Sequence, residues 1–272
     1  EEIEVFAYQF GWKARYAGED KQLGENSFVM ISGTNPLGLA VEDEADKLKA
    51  SLQTEIDELK AKLASAADST TAWRSALNKM ESTGLSNTYV TEYNALREKV
   101  MDAESGAYTR QMEKEIKRKE TNIKRVDAFK SKPEVFNKSA YDDRVTTEIV
   151  LVKNKPYMFR FRARDVIHSA YMPEFRAQMN CVPGQVTHFR FKPTMTTAEM
   201  RKDPQVQRNI DEINAIRVKR GDDPIEFDYV LLCNKICGAS HYNMPMKIVV
   251  ESEKDYKEWL AKQKTFKTVA AK

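Results

Sequence analysis

Five side chains of types that bind soft metal ions lie in two short segments of the sequence. Cys233, Cys237, His241 and Met244 fall within twelve residues of one another, and His168 lies well upstream. Thiolate and thioether ligands favour copper, and one cysteine followed by a histidine and a methionine, with a distant histidine, is the ligand set of a blue-copper site. These residue types and their spacing therefore predict a copper site.

The second cysteine changes how many metal ions the segment could hold. A blue-copper site needs one cysteine, whereas Cys233 and Cys237 offer two thiolates that could bridge two ions. Each copper would then take one imidazole and one weak terminal ligand. Met244 could supply one of these, and a backbone carbonyl between the cysteines the other. Because two bridging sulfurs let both metals share one electron, such a site would suit fast one-electron transfer.

Three other interpretations of the same residues remain open. Two cysteines and two histidines are also a zinc ligand set, in which Met244 would be an ordinary core residue. The cysteines could instead be buried without a metal. A thiol–disulfide enzyme is the third alternative, but it would normally carry Cys-x-x-Cys at the start of a helix. Cys181 has no partner at motif spacing, and we expect it to be an inert buried thiol.

Length and composition restrict the class of protein. The chain has 272 residues, of which 31% are charged and 41% hydrophobic, and its formal net charge is +3. That charge is too small to predict nucleic-acid binding, and no cluster of basic residues alternates with aromatic ones. No run approaches the roughly 20 apolar residues of a membrane span, and the first residues are no signal peptide. We expect a soluble piece with one large or two small domains.

Strand patterns occur at both ends of the chain. Val5 to Tyr16 is rich in aromatic and β-branched residues and predicts one strand. Residues 157–163, 187–191 and 246–250 alternate apolar and polar side chains with the period of half-buried strands. These segments predict a β-sandwich.

Between these strand segments the composition changes to alanine, glutamate, lysine and leucine. Leu48 to Leu63 carries apolar residues every three or four positions, which predicts a helix. Two or three long helices packed as an antiparallel hairpin are expected. Residues 41–70 hold eight acids and four bases, while residues 110–138 hold ten bases and five acids. Opposite charges on the two arms would help to pair them, and docking to a partner is the other interpretation.

The metal-binding segment resembles subunit II of the haem-copper cytochrome c oxidases, in particular its binuclear CuA domain. The similarity covers roughly residues 3–40 and 142–262 and leaves out the helical part. It is carried by Cys233 to Met244 and by four further motifs: Asp165-Val-Ile-His168-Ser, Tyr8-Gln-Phe-Gly-Trp12, Met172-Pro-Glu-Phe-Arg176 and Val182-Pro-Gly184.

The resemblance implies a mainly β fold, a cupredoxin-like β-sandwich interrupted by a long α-helical hairpin. Residues 1–41 would form the first part of the CuA domain, 42–140 a coiled-coil-like insertion, 141–262 the remainder and 263–272 a C-terminal tail. Members of the family carry two membrane helices before this domain, and the chain begins where those would end. The implied location is the periplasmic or equivalent outer face of the inner, respiratory membrane.

The resemblance also assigns site residues. The ligands of two copper ions would be five side chains and the main-chain carbonyl of Lys235; the side chains are His168, Cys233, Cys237, His241 and Met244. Lys235 stands where the family usually has a glutamate that binds magnesium at the subunit I interface. Because an ammonium group cannot ligate Mg²⁺, magnesium is not expected.

The implied function is electron transfer from a c-type cytochrome through the copper centre to haem in subunit I. There, oxygen is reduced to water and protons are pumped. Phe10 and Trp12 match two tryptophans near the point where electrons enter, and Trp12 is expected to pack near copper. Arg15, Asn180 and Lys235 replace acids that attract a basic cytochrome c in some relatives, which implies a less basic or permanently associated donor.

The implied partners are subunit I, other oxidase subunits and the cytochrome donor. A neighbouring respiratory complex could also be contacted through the helical insertion. Two other functions would use the same residues: a structural or interaction module stabilised by zinc, and a copper chaperone that binds a single Cu(I).

Overall fold

The computed structural model describes residues 1–85, 88–132, 134 and 140–266. The chain divides into two compact units, of which the first contains Glu1–Val41 and Phe136–Lys272 and the second contains Glu42–Val135. Among the described residues, every helix is too short or too polar to cross a membrane.

The first unit is a β-sandwich of two five-stranded sheets. The strands of one sheet are β1 (Glu2–Tyr8), β2 (Gly11–Tyr16), β3 (Arg144–Thr146), β5 (Tyr157–Ala163) and β8 (Thr187–Phe191). The strands of the other are β4 (Ile149–Val152), β6 (His168–Met172), β7 (Ala177–Cys181), β9 (Tyr229–Cys233) and β10 (Met246–Glu251). The orders are β3-β2-β1-β5-β8 and β4-β10-β9-β6-β7. The predicted β-sandwich with a helical insertion is confirmed.

Alternation along β5 shows how the sequence builds this core. Tyr157, Phe159 and Phe161 are buried, while the residues between them are only half-buried. Phe159 stacks on Phe191 of the neighbouring strand at a centroid separation of 4.9 Å. Since aromatic pairs of this kind add to the free energy of area burial, they help to hold the two strands together and give the sandwich a rigid interior.

The segment Val5–Tyr16 forms a hairpin of two strands, so the predicted single strand was wrong. β1 and β2 pair in antiparallel register, with Tyr8 opposite Gly11. A Cβ atom on Gly11 would lie 2.9 Å from the Tyr8 hydroxyl, so glycine permits this close turn. The turn residues, Gln9 and Phe10, are not typical turn formers, and a propensity pattern therefore cannot reveal the reversal.

Among its described residues the second unit contains four α-helices, where two or three were predicted. They are α1 (Glu42–Ala64), α2 (Ala66–Ser82), α3 (Val90–Glu104) and α4 (Ala107–Lys130). α1 packs against α4 and α2 against α3, so each arm of the hairpin consists of two helices. One of the unpredicted breaks lies at Gly106, whose φ of 74° is left-handed and suits glycine.

Ion pairs and apolar contacts hold α1 and α4 together. Leu48, Leu52 and Ile56 of α1 are buried, as are Met112 and Ile116 of α4. The ion pairs that join the two helices are Lys49–Asp127, Lys60–Glu120, Lys119–Glu55 and Lys130–Asp46. Because exposed ion pairs contribute little free energy each, the apolar stripe provides most of the stability and the charges favour this pairing of the arms.

The described part of the first unit also has three α-helices: α5 (Thr197–Lys202), α6 (Pro204–Arg220) and α7 (Glu253–Lys262). α7 begins at a Ser252 cap, whose hydroxyl accepts from the Asp255 backbone N–H. Beyond α7, Phe266 is buried, and its N–H donates to the Asp143 carbonyl at 2.8 Å. Residues 267–272 of the predicted tail lie outside the described residues.

A buried ion cluster joins the first strands to the segment before β3. Arg15 is 1% exposed, and its guanidinium lies 2.6 Å from a Glu4 carboxylate oxygen and 3.1 Å from one of Asp143. It also donates to the Gly24 carbonyl at 2.8 Å. The expectation that Arg15 lies on a cytochrome-docking surface was therefore wrong, because its charge is used inside the protein.

Candidate metal centre

Two neighbouring strands bring the predicted metal ligands together. His168 is the first residue of β6 and Cys233 the last residue of β9. These strands pair in antiparallel register with Ala170 opposite Cys233. Cys237, His241 and Met244 follow in the loop between β9 and β10. The distant histidine thus reaches the cysteine loop through sheet pairing.

Two sulfur atoms form the middle of the cluster. Cys233 Sγ lies 3.9 Å from Cys237 Sγ, 3.7 Å from His168 Nδ1 and 3.2 Å from the Lys235 carbonyl oxygen. Around Cys237 Sγ lie two further donor atoms, His241 Nδ1 at 3.5 Å and Met244 Sδ at 3.4 Å. The structure therefore gathers every donor atom that the sequence singled out.

The donor set fits soft metal ions. Each sulfur has one imidazole nitrogen beside it and one weaker donor, a carbonyl oxygen or a thioether, and this combination favours copper. The ligand atoms of His168, Cys233 and Cys237 all lie within 4.8 Å of one another. Burial, with a contribution from Cys233, raises the pKa of Cys237 to about 11, so metal binding must displace a firmly held proton.

The turn between β1 and β2 contacts the metal-binding loop at several points. The Gln9 side-chain amide donates to the Cys237 carbonyl, and the Trp12 indole N–H donates to the Met244 carbonyl at 2.9 Å. A Cβ atom on Gly238 would lie 2.8 Å from the Phe10 ring. The turn therefore holds the loop in one arrangement, and it leaves no room for a side chain at Gly238.

Asp165 connects the same turn to the upstream histidine. Its carboxylate lies 2.9 Å from His168 Nε2 and accepts from the Gln9 backbone N–H at 2.7 Å. Although burial would raise the pKa of Asp165, these hydrogen bonds and one from the Val166 N–H hold that pKa below its usual value. Such a carboxylate fixes the orientation of a metal-binding imidazole. No role for Asp165 or Gln9 was predicted from the sequence, although both lie inside motifs that carry the family resemblance.

Comparisons with known proteins find similarity to oxidase subunits. No family model matches the chain. The alternative cytochrome c oxidase subunit 2 of Bradyrhizobium diazoefficiens is 38% identical over 112 residues, which are 41% of this chain and 30% of that protein. The cytochrome c oxidase subunit 2 of Thermostichus vulcanus is 27% identical over 115 residues, 42% of this chain and 26% of that protein.

Over about two fifths of its length, the chain is similar to cytochrome c oxidase subunit 2 proteins. The resemblance stated from the sequence is thereby confirmed, although the chain spans less than a third of the length of either relative. Among solved structures, the periplasmic domain of cytochrome oxidase subunit II from Bradyrhizobium japonicum is similar at 22% identity and a TM-score of 0.31, over 43% of this chain and 63% of that one.

The two aromatic residues that the cytochrome c oxidase resemblance singled out occupy different environments. Trp12 is 4% exposed, and its ring meets the His168 ring edge-on at a centroid distance of 6.1 Å. Phe10 is 37% exposed, and two residues of the metal-binding loop are almost fully exposed, Ile236 at 85% and Tyr242 at 86%. Of Phe10 and Trp12, only Phe10 therefore lies at the protein surface.

The remaining residues of interest lie at the edge of the cluster. Cys181 pairs in register with His168 across β6 and β7 and is fully buried. Burial raises its pKa to about 12, which agrees with an inert thiol. Lys235 is exposed. It contacts the cluster through its main-chain carbonyl, which lies near Cys233 Sγ.

Replacing Gln9 by alanine tests whether the β1–β2 turn constrains the metal-binding loop. Gln9→Ala removes the hydrogen bond to the Cys237 carbonyl and keeps the backbone bond to Asp165. We expect hydrogen exchange in residues 234–244 of the metal-free protein to accelerate about fivefold, since one hydrogen bond is worth about 1 kcal/mol. Gln185→Ala, at an exposed glutamine, is the matched control. Equal exchange in both variants would mean that the turn does not constrain the loop.

Proposed function

We propose that this chain is the extramembrane electron-transfer domain of subunit II of a cytochrome c oxidase and holds two copper ions. The observation that carries the proposal is the convergence of two imidazoles, a thioether and a carbonyl oxygen on a pair of cysteine sulfurs 3.9 Å apart. A zinc site would use the thiols and imidazoles but would give the Met244 sulfur no role.

The residues that would hold the copper pair are His168, Cys233, Cys237, His241 and Met244, with the Lys235 carbonyl. When bound, this centre supplies one-electron transfer. The chain contributes rigidity and exclusion of water: His168 is fully buried, Met244 is 2% exposed and Cys237 is 7% exposed. Ligands locked by packing and by the β1–β2 turn need to move little when an electron arrives, which lowers the cost of the transfer.

The surface around the loop supports a protein donor of electrons. Phe10, Ile236 and Tyr242 expose apolar side chains next to the ligands, as at the centre of a protein interface. We assign this surface to a c-type cytochrome, with Phe10 and then Trp12 nearest the point where electrons enter. Haem in subunit I would accept the electrons, and oxygen reduction and proton pumping would take place there. The domain would lie on the periplasmic or equivalent outer face of the respiratory membrane.

Metal analysis of the purified protein separates this function from its alternatives. We expect two copper ions per chain and intense visible absorption, without magnesium. A colourless protein with one zinc ion would instead support a structural module. A single Cu(I) per chain would support a copper chaperone. Either of these outcomes would contradict an electron-transfer domain.

The helical insertion is assigned a separate role, docking to a neighbouring subunit or respiratory complex. Its helices form a compact unit of their own, and every proposed ligand lies outside it. Replacing residues 45–138 by a short loop should therefore leave the copper absorption spectrum unchanged and reduce assembly with neighbouring complexes, measured by native gel electrophoresis of solubilised membranes. A variant that assembles normally would argue against docking, whereas an altered spectrum would show that the insertion supports the metal centre.

A further inference from the structure

The exposed charged residues on the outer side of α4 are all basic along most of the helix. Six exposed lysines and arginines share this side: Arg110, Lys114, Lys117, Arg118, Lys124 and Arg125. Thr121 lies at its centre. At about 100° per residue they occupy an arc of roughly 120°, and they extend over about 22 Å. We call these six residues the α4 basic face.

The α4 basic face points away from the apolar contact between α4 and α1. The buried residues of α4, Met112, Ile116 and Val126, lie on the opposite side of the helix, as their sequence spacing requires. The exposed acids Glu113, Glu120 and Asp127 fall outside the arc, beyond one of its edges. An approaching partner would therefore meet positive charge alone along the middle of this face.

These charges do not serve the packing of the second unit. Some bases of the hairpin, among them Lys49, Lys60 and Lys119, form ion pairs with acids of the facing helix. In contrast, no ion pair joins any of the six to another described residue within 4 Å. Arg110, Lys114 and Arg118 succeed one another at intervals of four residues, a spacing at which like charges destabilise a helix. Arg110, Lys114 and Arg118 therefore repel one another along the helix, and none of the six bases forms an ion pair within the described unit.

We propose that the α4 basic face docks onto an acidic surface of a partner protein. The inference rests on the docking role assigned to the insertion and specifies its surface and the chemistry of its partner. Carboxylates on the partner would relieve the repulsion within the face and, through the three arginines, could accept paired hydrogen bonds.

An anionic membrane fits the α4 basic face less well than an acidic protein does. Helices that bind a membrane surface bury an apolar side in the lipid, but the apolar side of α4 is already buried against α1. A flat anionic surface would also approach Glu113 and Glu120 at the edge of the face. A protein surface can place basic groups opposite those acids and acidic groups opposite the six bases.

Binding of the full chain to poly-L-glutamate tests the charge complementarity. Substituting Lys114, Lys117, Arg118 and Lys124 by glutamine should weaken binding at least about tenfold. The matched control replaces Lys202, Arg208, Lys219 and Arg220, exposed bases of α5 and α6, by glutamine and should bind as the unaltered chain does. Equal weakening in both variants, or none in either, would overturn the proposal. Tighter binding to vesicles containing 30% phosphatidylglycerol than to poly-L-glutamate would also overturn it, in favour of lipid.

A photo-crosslinking residue at Thr121 tests the same surface in intact membranes. We expect an adduct with a protein segment rich in aspartate and glutamate, which disappears in the four-glutamine variant of α4. A lipid adduct, or no adduct, would overturn the proposal. The copper absorption spectrum of each variant is measured as well. An unchanged spectrum shows that any loss of binding or crosslinking does not come from damage to the copper centre. The deletion test gives a different result: if the chain without residues 45–138 assembles normally, the insertion has no docking role at all.

Discussion

His168→Asn is expected to abolish the spectrum of the proposed binuclear copper centre. The substitution removes the Nδ1 atom that lies 3.7 Å from Cys233 Sγ and offers a hard amide in place of an imidazole. One copper would then lose its only nitrogen ligand, and soft-metal binding depends strongly on ligand type. Visible absorption and copper content, measured after loading with copper, should show loss of the paired centre and binding of fewer than two ions.

His188→Asn is the matched control for this result. His188 lies on β8 with an exposed side chain, and its replacement should leave both copper ions and the spectrum unchanged. A normal binuclear spectrum in the His168 variant would contradict the assignment of this ligand. Circular dichroism of both metal-free variants separates loss of copper from loss of the fold, because His168 is fully buried.

Arg15→Met is expected to cause the largest loss of stability of any single substitution considered. It would leave the buried carboxylates of Glu4 and Asp143 without the guanidinium that contacts both. Removing one partner of a buried ion pair typically costs about 3–5 kcal/mol. The free energy of opening of β1 and β2, measured by native-state hydrogen exchange, should fall by that amount.

The loss caused by Arg15→Met should depend on pH. Burial raises the pKa of Asp143 to about 7, against the opposing effect of Arg15. A carboxyl whose pKa is raised in the folded protein stabilises the fold fully below its unfolded pKa of about 4, and this contribution disappears as the pH rises through about 7. Since removing Arg15 raises that pKa further, the variant should be less impaired at pH 5.5 than at pH 8. Arg190→Met, at an exposed arginine, should change stability little at either pH.

The metal ligands could be predicted from the sequence because four of them lie in one short segment. Residue type and spacing between Cys233 and Met244 define the chemistry almost without reference to the fold. His168 is different, because its place next to Cys233 depends on the pairing of β6 with β9. Residue type made His168 a candidate ligand, but no local pattern in the sequence shows that it lies beside the loop. The alternating strands and the helix α1 could also be predicted from the sequence, because the apolar residues of each recur with a regular local period.

The features that could not be predicted depend on contacts between distant residues. The reversal at Gln9 and Phe10 is made by residues with no turn preference, and Gln9 acquires its role only by reaching the Cys237 carbonyl. Arginine is usually a surface residue, yet Arg15 is buried and forms ion pairs with Glu4 and Asp143 inside the protein. The break at Gly106 was missed because a helical pattern continues on both sides of it.

Electron paramagnetic resonance of the copper-loaded protein after addition of one electron per copper pair tests the central claim most directly. If Cys233 and Cys237 bridge two ions that share the electron equally, the spectrum will show hyperfine splitting from two equivalent copper nuclei. A spectrum with splitting from a single copper nucleus would contradict the account, because the unpaired electron would then reside on one isolated ion.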